Sequence, residues 1–415
     1  MSDWDLTPPP PSELGDREVP LLGDELVGRR VALMVCGGIA AMKTPLIARA
    51  LRKRGAEVQA FVSRQALRYV TEDALEWSTT QPVVRRLSAR AEHLSGRRSF
   101  DAYLLPQATY NTINKLACGI ADGVVTTTLA SALGRLARGQ TQILLTPAMH
   151  GSMHNAILTD SLAKLRRLGV TLVAPREAYG KHNVPDEEVL VLAVCRALAP
   201  PALAGRRVLV TGGPTPVPID NVRRITTRFR GKLSIAIAET LLRRGADPLL
   251  VHGDGAYPPP PWLPHRVVHT YDDYRSEVHR LLRQGGWSAG IFAAAVADYR
   301  PRQVLPGKTP SGRTLDLQLV PTAKVIDEVR DEHPELLMIT FKYQEGVSHD
   351  ELIAIARQRL DRYQVVIANR GEEMGAGDEH VAWLVTGDQP PQRLEGKPGI
   401  ARGIAAYLEE LWSRP

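Results

Sequence analysis

Two stretches of this 415-residue chain open in the same way, and any fold has to accommodate both. Residues 29–62 read RRVALMVCGGIAAMKTPLIARALRKRGAEVQAFV. Residues 205–222 read GRRVLVTGGPTPVPIDNV, and GKLSIAIAETLLRRGADPLLVHG follows from Gly231. Each begins with an apolar, β-branched run that stops at Gly-Gly, the pattern of a buried parallel strand entering a tight turn. Each continues with apolar residues at helical spacing: Leu46, Ile47, Ala50 and Leu51 in the first, Ile237, Leu241 and Leu242 in the second. Each helix ends in Arg-Gly-Ala, with Gly55 and Gly245 suited to a left-handed C-terminal cap. A second apolar strand follows in both.

This βαβ rhythm recurs downstream. AYLLPQ, QILLTPAM and VTLVAP read as further strands of the first half, and SAGIFAAAVADY, LLMITF, YQVVIAN and VAWLVTG as those of the second. The rhythm predicts an α/β protein of two doubly wound, Rossmann-like domains. The joint falls in LAPPALAGRR, residues 198–207, where prolines and a glycine punctuate a helix end and a strand start. The expected organisation is a Pro-rich, flexible tail over 1–27, a first domain over 28–199 and a second over 203–415.

Composition removes several classes. The formal charge is +7, but Lys and Arg are spread along the chain and aromatics are 5%, which is poor for stacking on bases. Basic pockets for phosphorylated small molecules fit the balance better than nucleic acid. No apolar run approaches the length of a membrane span. The acidic, proline-rich start is neither a signal nor a transit peptide. Cys36, Cys118 and Cys195 form no CxxC pattern, so a reducing cytoplasm is expected.

Ligands of open α/β sheets bind outside the carboxyl ends of the strands. In the first half those positions are expected at CGGIAAMK (36–43), PQATYNTINK (106–115), the threonines Thr126, Thr127 and Thr128, and PAMHGSMH (147–154). Gly37 and Gly38 let an anion approach the backbone, and Ser63 adds a hydroxyl. In the second half they are TGGPTPVPID (211–220), AAAVADYRP (293–301) and ANRG (368–371). Between them, residues 222–232 carry Arg223, Arg224, Arg228, Arg230 and Lys232. That run reads equally as a solvated loop or as a phosphate-binding loop.

Five segments in matching order resemble one family: GGIAAMK at 37, HLSGRRSFDAYLLPQATYNTINKLACGIADGVVTTTLA from His93, PAM at 147, LVTGGPTPVPIDNVR at 209 and AAVADYRP at 294. The chain resembles, from about Gly28 to Leu411, the bifunctional enzymes of coenzyme A biosynthesis that join phosphopantothenoylcysteine decarboxylase to phosphopantothenate–cysteine ligase. The resemblance implies a flavodoxin-like, FMN-binding first domain. It implies a ligase domain that activates a phosphorylated acid with CTP, or ATP, and Mg²⁺ as an acyl-nucleotidylate, for attack by a cysteine-like amine. It also implies a cytoplasmic homo-oligomer, trimeric through the flavin domain and dimeric through the ligase domain.

Carried over residue by residue, the flavin cradle matches Gly37, Gly38, Ile39, Ala40, Ser63, Thr109, Asn111, Thr126, Thr127 and Thr128. The decarboxylase histidine matches His93. The nucleotide loop matches Gly212, Gly213, Pro214 and Thr215, with Ala295 beside the aspartate that matches Asp298. The catalytic lysine matches Lys308, and the arginine of the family's DPVR segment matches Arg223. Three departures stand out. The family's PAMN loop, whose asparagine holds the substrate carboxylate, has His150 here after Met149. Tyr179 stands where the flap cysteine should be, with most of the flap missing. Thr227 takes the place of an asparagine in the basic loop. The pair His150 and His154 is read as a substrate clamp and not as a metal site, since no acidic residue or third histidine is near in sequence. Three readings follow: an active carboxylate–amine ligase, a flavin enzyme with altered decarboxylation or oxidation chemistry, and a non-catalytic paralogue that binds FMN or nucleotide.

Overall fold

A computed structural model describes residues 6–94, 98–255, 257–312, 314–373, 375, 380–387 and 389–414. The chain divides into two compact units, residues 1–198 and 199–415.

The first unit is built on a five-stranded parallel sheet. Its elements run β1 (Arg30–Val35), α1 (Thr44–Arg52), β2 (Glu57–Val62), α2 (Glu72–Thr79), β3 (Ala102–Ala108), α3 (Tyr110–Cys118), α4 (Val124–Leu136), β4 (Gln142–Pro147), α5 (Ala156–Arg167), β5 (Thr171–Leu172) and α6 (Glu187–Ala197). The spatial order is β2-β1-β3-β4-β5, with β1 in parallel register against both β2 and β3. That is the flavodoxin-like order, whose switch point lies between β1 and β3. Alternate strand residues feed two cores. Val31, Leu33 and Val35 face α1 and α6, while Ala32, Met34, Tyr103 and Leu105 face α4 and α5. In α1, Ile47, Ala48 and Leu51 are buried, but Leu46 is 58% exposed and lies outside the apolar stripe expected for it.

Two other expectations need correction here. Thr126, Thr127 and Thr128 form the first turns of α4 and not a strand end. β-Branched residues are weak helix formers, but hydroxyls tie this turn down. Thr126 Oγ1 accepts from Gly123 N at 2.9 Å, and Thr128 Oγ1 donates to Val124 O at 2.7 Å. Burial of Val125, Leu129 and Ala132 does the rest. The second correction concerns the N-terminal tail, whose end is packed. Leu26 is fully buried in the β1–α1 core, Glu25 pairs with Arg54, and Leu22 N donates to Lys53 O at 2.7 Å.

The second unit carries an eight-stranded sheet. In chain order it contains β6 (Arg207–Gly212), α7 (Lys232–Arg243), β7 (Asp247–Gly253), β8 (His265–Val268), α8 (Tyr271–Arg283), β9 (Ala289–Phe292), α9 (Val325–Glu332), β10 (Leu337–Gln344), α10 (His349–Gln358), β11 (Val365–Arg370), β12 (Val381–Val385), β13 (Gln392–Glu395) and α11 (Gly396–Ser413). The order β8-β7-β6-β9-β10-β11 is parallel and doubly wound, reversing between β6 and β9. β12 and β13 extend the edge in antiparallel sense, a change of direction that VAWLVTG alone does not reveal. The run SAGIFAAAVADY is not one strand. β9 ends at Phe292, and Ala295–Val296 instead pairs with Pro214–Thr215 in a separate two-stranded ribbon.

Candidate active sites at two switch points

In the first unit, the carboxyl ends of β1 and β3 open onto a cavity of about 1030 Å³. Gly37, Gly38, Ile39, Ser63, Thr109, Asn111, Thr126, Thr127 and Met149 all line it. Ala40 lines a neighbouring cavity of about 390 Å³ that shares Gly38, Ile39, Thr109 and Met149. Local structure explains why these residues meet. Thr109 caps α3 by accepting from Thr112 N at 3.3 Å, which turns the first turn of α3 toward β1. A side chain at Gly37 would place its Cβ 2.3 Å from Gln65 Cβ, so only glycine lets the loop after β1 pass under the loop after β2.

The larger cavity is lined by the first turns of α3 and α4, whose free N–H groups favour an anion. Arg64, Arg85, Arg86 and Lys115 add positive charge, with Asp122 as the opposing carboxylate, 2.5 Å from Lys115 Nζ. Of these, Arg85 and Arg86 stand in VVRRLSAR, residues 83–90, but nothing in its spacing marks them as facing a cavity. A glycine floor, helix N-termini and surplus cations fit a phosphate-bearing ligand.

The PAMHGSMH segment forms a short strand and a single 3₁₀ turn, so its two histidines do not share a helix face. His150 bonds Ser152 Oγ through Nδ1 at 2.8 Å and lines the smaller cavity. His154 instead bonds His182, Nδ1 to Nε2, at 2.7 Å. His182 lies on a hairpin, Arg176–Ala178 and Lys181–Asn183, that pairs with Met149–His150 as a three-stranded sheet. The third histidine that sequence proximity did not supply therefore arrives from the hairpin. Among the described residues, no group of three or more His, Cys, Asp or Glu is placed to hold a metal ion.

Tyr179, which the resemblance sets at the position of the substrate-facing flap cysteine, does not line either cavity. It sits with Gly180 in the hairpin turn, both at positive φ (55° and 66°), and is 93% exposed. Two consecutive left-handed residues are the signature of a type I′ turn, which directs this side chain away from the sheet. His182 and Lys181, on the returning strand, line the cavity in its place. His93 lies on a short turn, Glu92–Leu94, packed against α4, with Nδ1 buried and unpartnered, and lines neither cavity. Cys36 is buried beneath the cradle, where desolvation pushes its thiol above the ordinary range; Cys195 is also buried, and Cys118 is exposed on α3.

In the second unit, the reversal between β6 and β9 brings Gly212, Gly213, Pro214 and Thr215 beside Ala295. Ala295 N donates to Gly213 O at 2.9 Å, and Ala297 N donates to Thr215 Oγ1 at 2.9 Å. Packing is too close for side chains. A Cβ on Gly212 would lie 2.1 Å from Ser234 Cβ of α7, and Gly213 has φ +73° with Gly253 backbone 2.8 Å from its would-be Cβ.

Arg223 and Lys308 belong to one clasp, centred on a residue that sequence reading passed over. Asp220 is buried and accepts from Val222 N (2.8 Å), Arg223 N (2.7 Å), Thr309 N (3.1 Å) and the Arg223 guanidinium (2.7 Å). Backbone donation from Arg223 and Val222 holds its carboxyl far below the usual range. Asn221 N donates to Gly307 O at 3.0 Å, and Arg223 also reaches Thr309 O. Lys308 stands exposed between these anchors. The aspartate was visible three residues before Arg223, a spacing that allows such a turn. Asp298 pairs with Lys324, and Lys342, half-buried on β10 near both, has its ammonium pKa lowered, chiefly by desolvation. Arg228 reaches Tyr343 Oη (2.8 Å) and Glu345 (3.1 Å), so the basic loop folds onto the end of β10. Thr227 is half-buried there, with Oγ1 enclosed and unpartnered.

Known proteins resemble both units. Residues 22–198 match the family described as Flavoprotein, and residues 203–411 match DNA/pantothenate metabolism flavoprotein C-terminal domain. The coenzyme A biosynthesis bifunctional protein CoaBC of Thermococcus kodakarensis is 36% identical over 365 residues, which cover 86% of this chain and 89% of that protein. The chain belongs to the CoaBC family. The CoaBC protein of Methanocaldococcus jannaschii is 28% identical over 390 residues, 93% of this chain and 94% of its own length. Among solved structures, the DNA/pantothenate metabolism flavoprotein from Streptococcus pneumoniae is 27% identical, covers 50% of this chain and all of its own, and has a TM-score of 0.45. Membership of the CoaBC family accounts for two units in one chain, a flavodoxin-like one followed by a Rossmann-like one. No helix among the described residues is long and apolar enough to cross a membrane.

Proposed function

We propose that the chain is a carboxylate–amine ligase of coenzyme A biosynthesis, joining a 4′-phosphopantothenate-type acid to cysteine in its second unit, and that its first unit binds FMN and acts on the acyl-cysteine formed. The observation that carries the reading is the interlocked loop at the second switch point. There Gly212, Gly213 and Thr215 are fixed against Ala295 and Ala297, while the Asp220 clasp holds the residues on either side of Lys308, with Gly307 bonded to Asn221 and Thr309 to Asp220. Such a loop, beside a helix N-terminus and basic side chains, suits a nucleoside triphosphate.

The proposed ligation runs in two steps. A carboxylate oxygen attacks the α-phosphorus of Mg²⁺-bound CTP, or ATP, and pyrophosphate departs. The cysteine amine then attacks the acyl carbon of the mixed anhydride, losing a proton, and the nucleoside monophosphate leaves. Lys308 neutralises phosphate charge during the first step, and Arg223 is held by Asp220 to do the same. Trapping with hydroxylamine tests the intermediate. The acid plus CTP or ATP, without cysteine, should yield a hydroxamate; neither nucleotide doing so would overturn the reading.

In the first unit, Gly37, Gly38, Ser63, Thr109, Asn111 and the N-terminus of α4 would hold FMN, with Arg85 or Arg86 near its phosphate. FMN supplies a two-electron acceptor when bound. His150, Lys181 and His182 supply a cationic or hydrogen-bonding edge for a substrate carboxylate. No described cysteine lines either cavity, and Tyr179 cannot replace thiol redox chemistry. This supports a first unit whose decarboxylation departs from the usual course, releasing CO₂ and ending at the oxidised ene-thiol stage, with the two electrons passing through FMN to an external oxidant such as dioxygen. The flap cysteine's absence equally favours a different acid for this unit.

A further inference from the structure

We infer that Gln107 is a specificity residue of the first unit, reading an amide group of the acid bound in the smaller cavity. The inference rests on the proposal that this unit acts on an acyl-cysteine. Gln107 lies near the carboxyl end of β3, where pairing with β4 slips between Leu105 and Ala108. It is 1% exposed, lines the cavity of about 390 Å³, and neither Oε1 nor Nε2 has a hydrogen-bond partner. Thr146, on the adjoining strand β4, is also buried with an unpartnered Oγ1. Buried amides are nearly always paired, and leaving both atoms unmet is costly unless a ligand meets them.

The chemistry of the partner follows from the donor set. A carboxamide offers one acceptor and one two-proton donor. A carboxylate or phosphate would satisfy Nε2 but repel Oε1, and the cavity already holds Lys43, Arg176 and Lys181 for negative charge. A trans secondary amide points its N–H and C=O to opposite edges, so it meets one atom of Gln107: its N–H donates to Oε1, and Nε2 donates to a second acceptor of the same acid, the adjoining carboxylate. An acid with a carboxylate beside an amide, as in an N-acyl-cysteine, would set its charge against the cationic side chains and its amide against Gln107. An ordered water could also occupy the space, and the experiment separates the two.

The test uses the full flavin-loaded chain and two probes in titration calorimetry. One is 4′-phosphopantothenoyl-cysteine. The other is its ester counterpart, with 3-mercaptolactate in place of cysteine, which lacks the N–H but keeps shape and charge. The wild-type chain should bind the amide about tenfold more tightly than the ester, since a site built to receive an N–H discriminates against its loss. In Gln107→Met the ratio should fall to about one. Flavin absorbance and pyrophosphate release by the second unit should be unchanged, and the variant should melt no lower than wild type because an unmet polar group is gone. A tenfold ratio persisting in Gln107→Met, or a ratio near one in the wild-type chain as a water-filled site would give, overturns the assignment of Gln107 and leaves the proposed function standing. Binding of neither probe by the wild-type chain overturns both.

Discussion

Replacing Gly212 with alanine tests whether the loop after β6 is fixed by contact with α7. The new Cβ would lie 2.1 Å from Ser234 Cβ and 1.7 Å from Ser234 Oγ. Two carbons at contact are ~3.5–4.0 Å apart, so strand end and helix must part by roughly 1.5 Å. Ser234 cannot rotate away from the Cβ contact, and its hydroxyl already donates to Gly231 O at 2.8 Å. Overpacking of this kind costs about 1–3 kcal/mol, and a shift near 1 Å at a catalytic loop can lower turnover by about a hundredfold. Thermal denaturation and pyrophosphate release measure the two effects separately. The decisive comparison is Gly212→Ala with Ser234→Gly, which removes the obstructing Cβ. It should recover most of the lost turnover while carrying the cost of about 1 kcal/mol for glycine in a helix. If Gly212→Ala is silent, or if the double variant is as impaired as the single one, the contact does not hold the loop.

Lys308 is exposed, so Lys308→Gln should leave the melting temperature within a degree or two while ligation falls about a hundredfold or more; unchanged amide formation would remove its assignment. Asp220→Asn should weaken the clasp and ligation together, as read by denaturant unfolding and pyrophosphate release. Because the folded state lowers the Asp220 pKa, its contribution is complete above the unfolded value of ~3.9 and fades as pH falls through the folded one. The stability gap between wild type and Asp220→Asn should therefore be the same at pH 8 and pH 6 and shrink below about pH 3. Arg86→Ala should weaken FMN binding about three- to tenfold, in a fluorescence titration, and make it less sensitive to salt.

The fold was legible because β1 and β6 carry uninterrupted apolar runs ending in Gly-Gly, and because Ile47 and Leu51, or Ile237 and Leu241, repeat at helical spacing. What the pattern omits is set by contacts remote in sequence. Leu46 looks like a core residue of α1, but the stripe runs through Ile47 and Leu51. The threonines of α4 look like strand and fold as helix because hydroxyl bonds and buried neighbours outweigh propensity. Of the residues matched to a flavin cradle by order of motifs, Gly37, Gly38, Ile39, Ser63, Thr109, Asn111, Thr126 and Thr127 line one cavity, Ala40 lines its neighbour and Thr128 lines neither. Tyr179 was placed by matching a flap position, whereas the chain makes a tight hairpin there and turns it outward. Asp220 carries no mark in sequence that it will receive donors from both Arg223 and Thr309, 86 residues apart. Gln107 reads as an ordinary strand residue until its neighbours leave it unpaired.

The most direct measurement is incubation of the purified chain with 4′-phosphopantothenate, cysteine, Mg²⁺ and CTP or ATP, following pyrophosphate release and identifying products by mass spectrometry. Pyrophosphate should appear in step with a new cysteine amide. A folded, flavin-bearing chain that releases none with either nucleotide, and forms no amide, would contradict it.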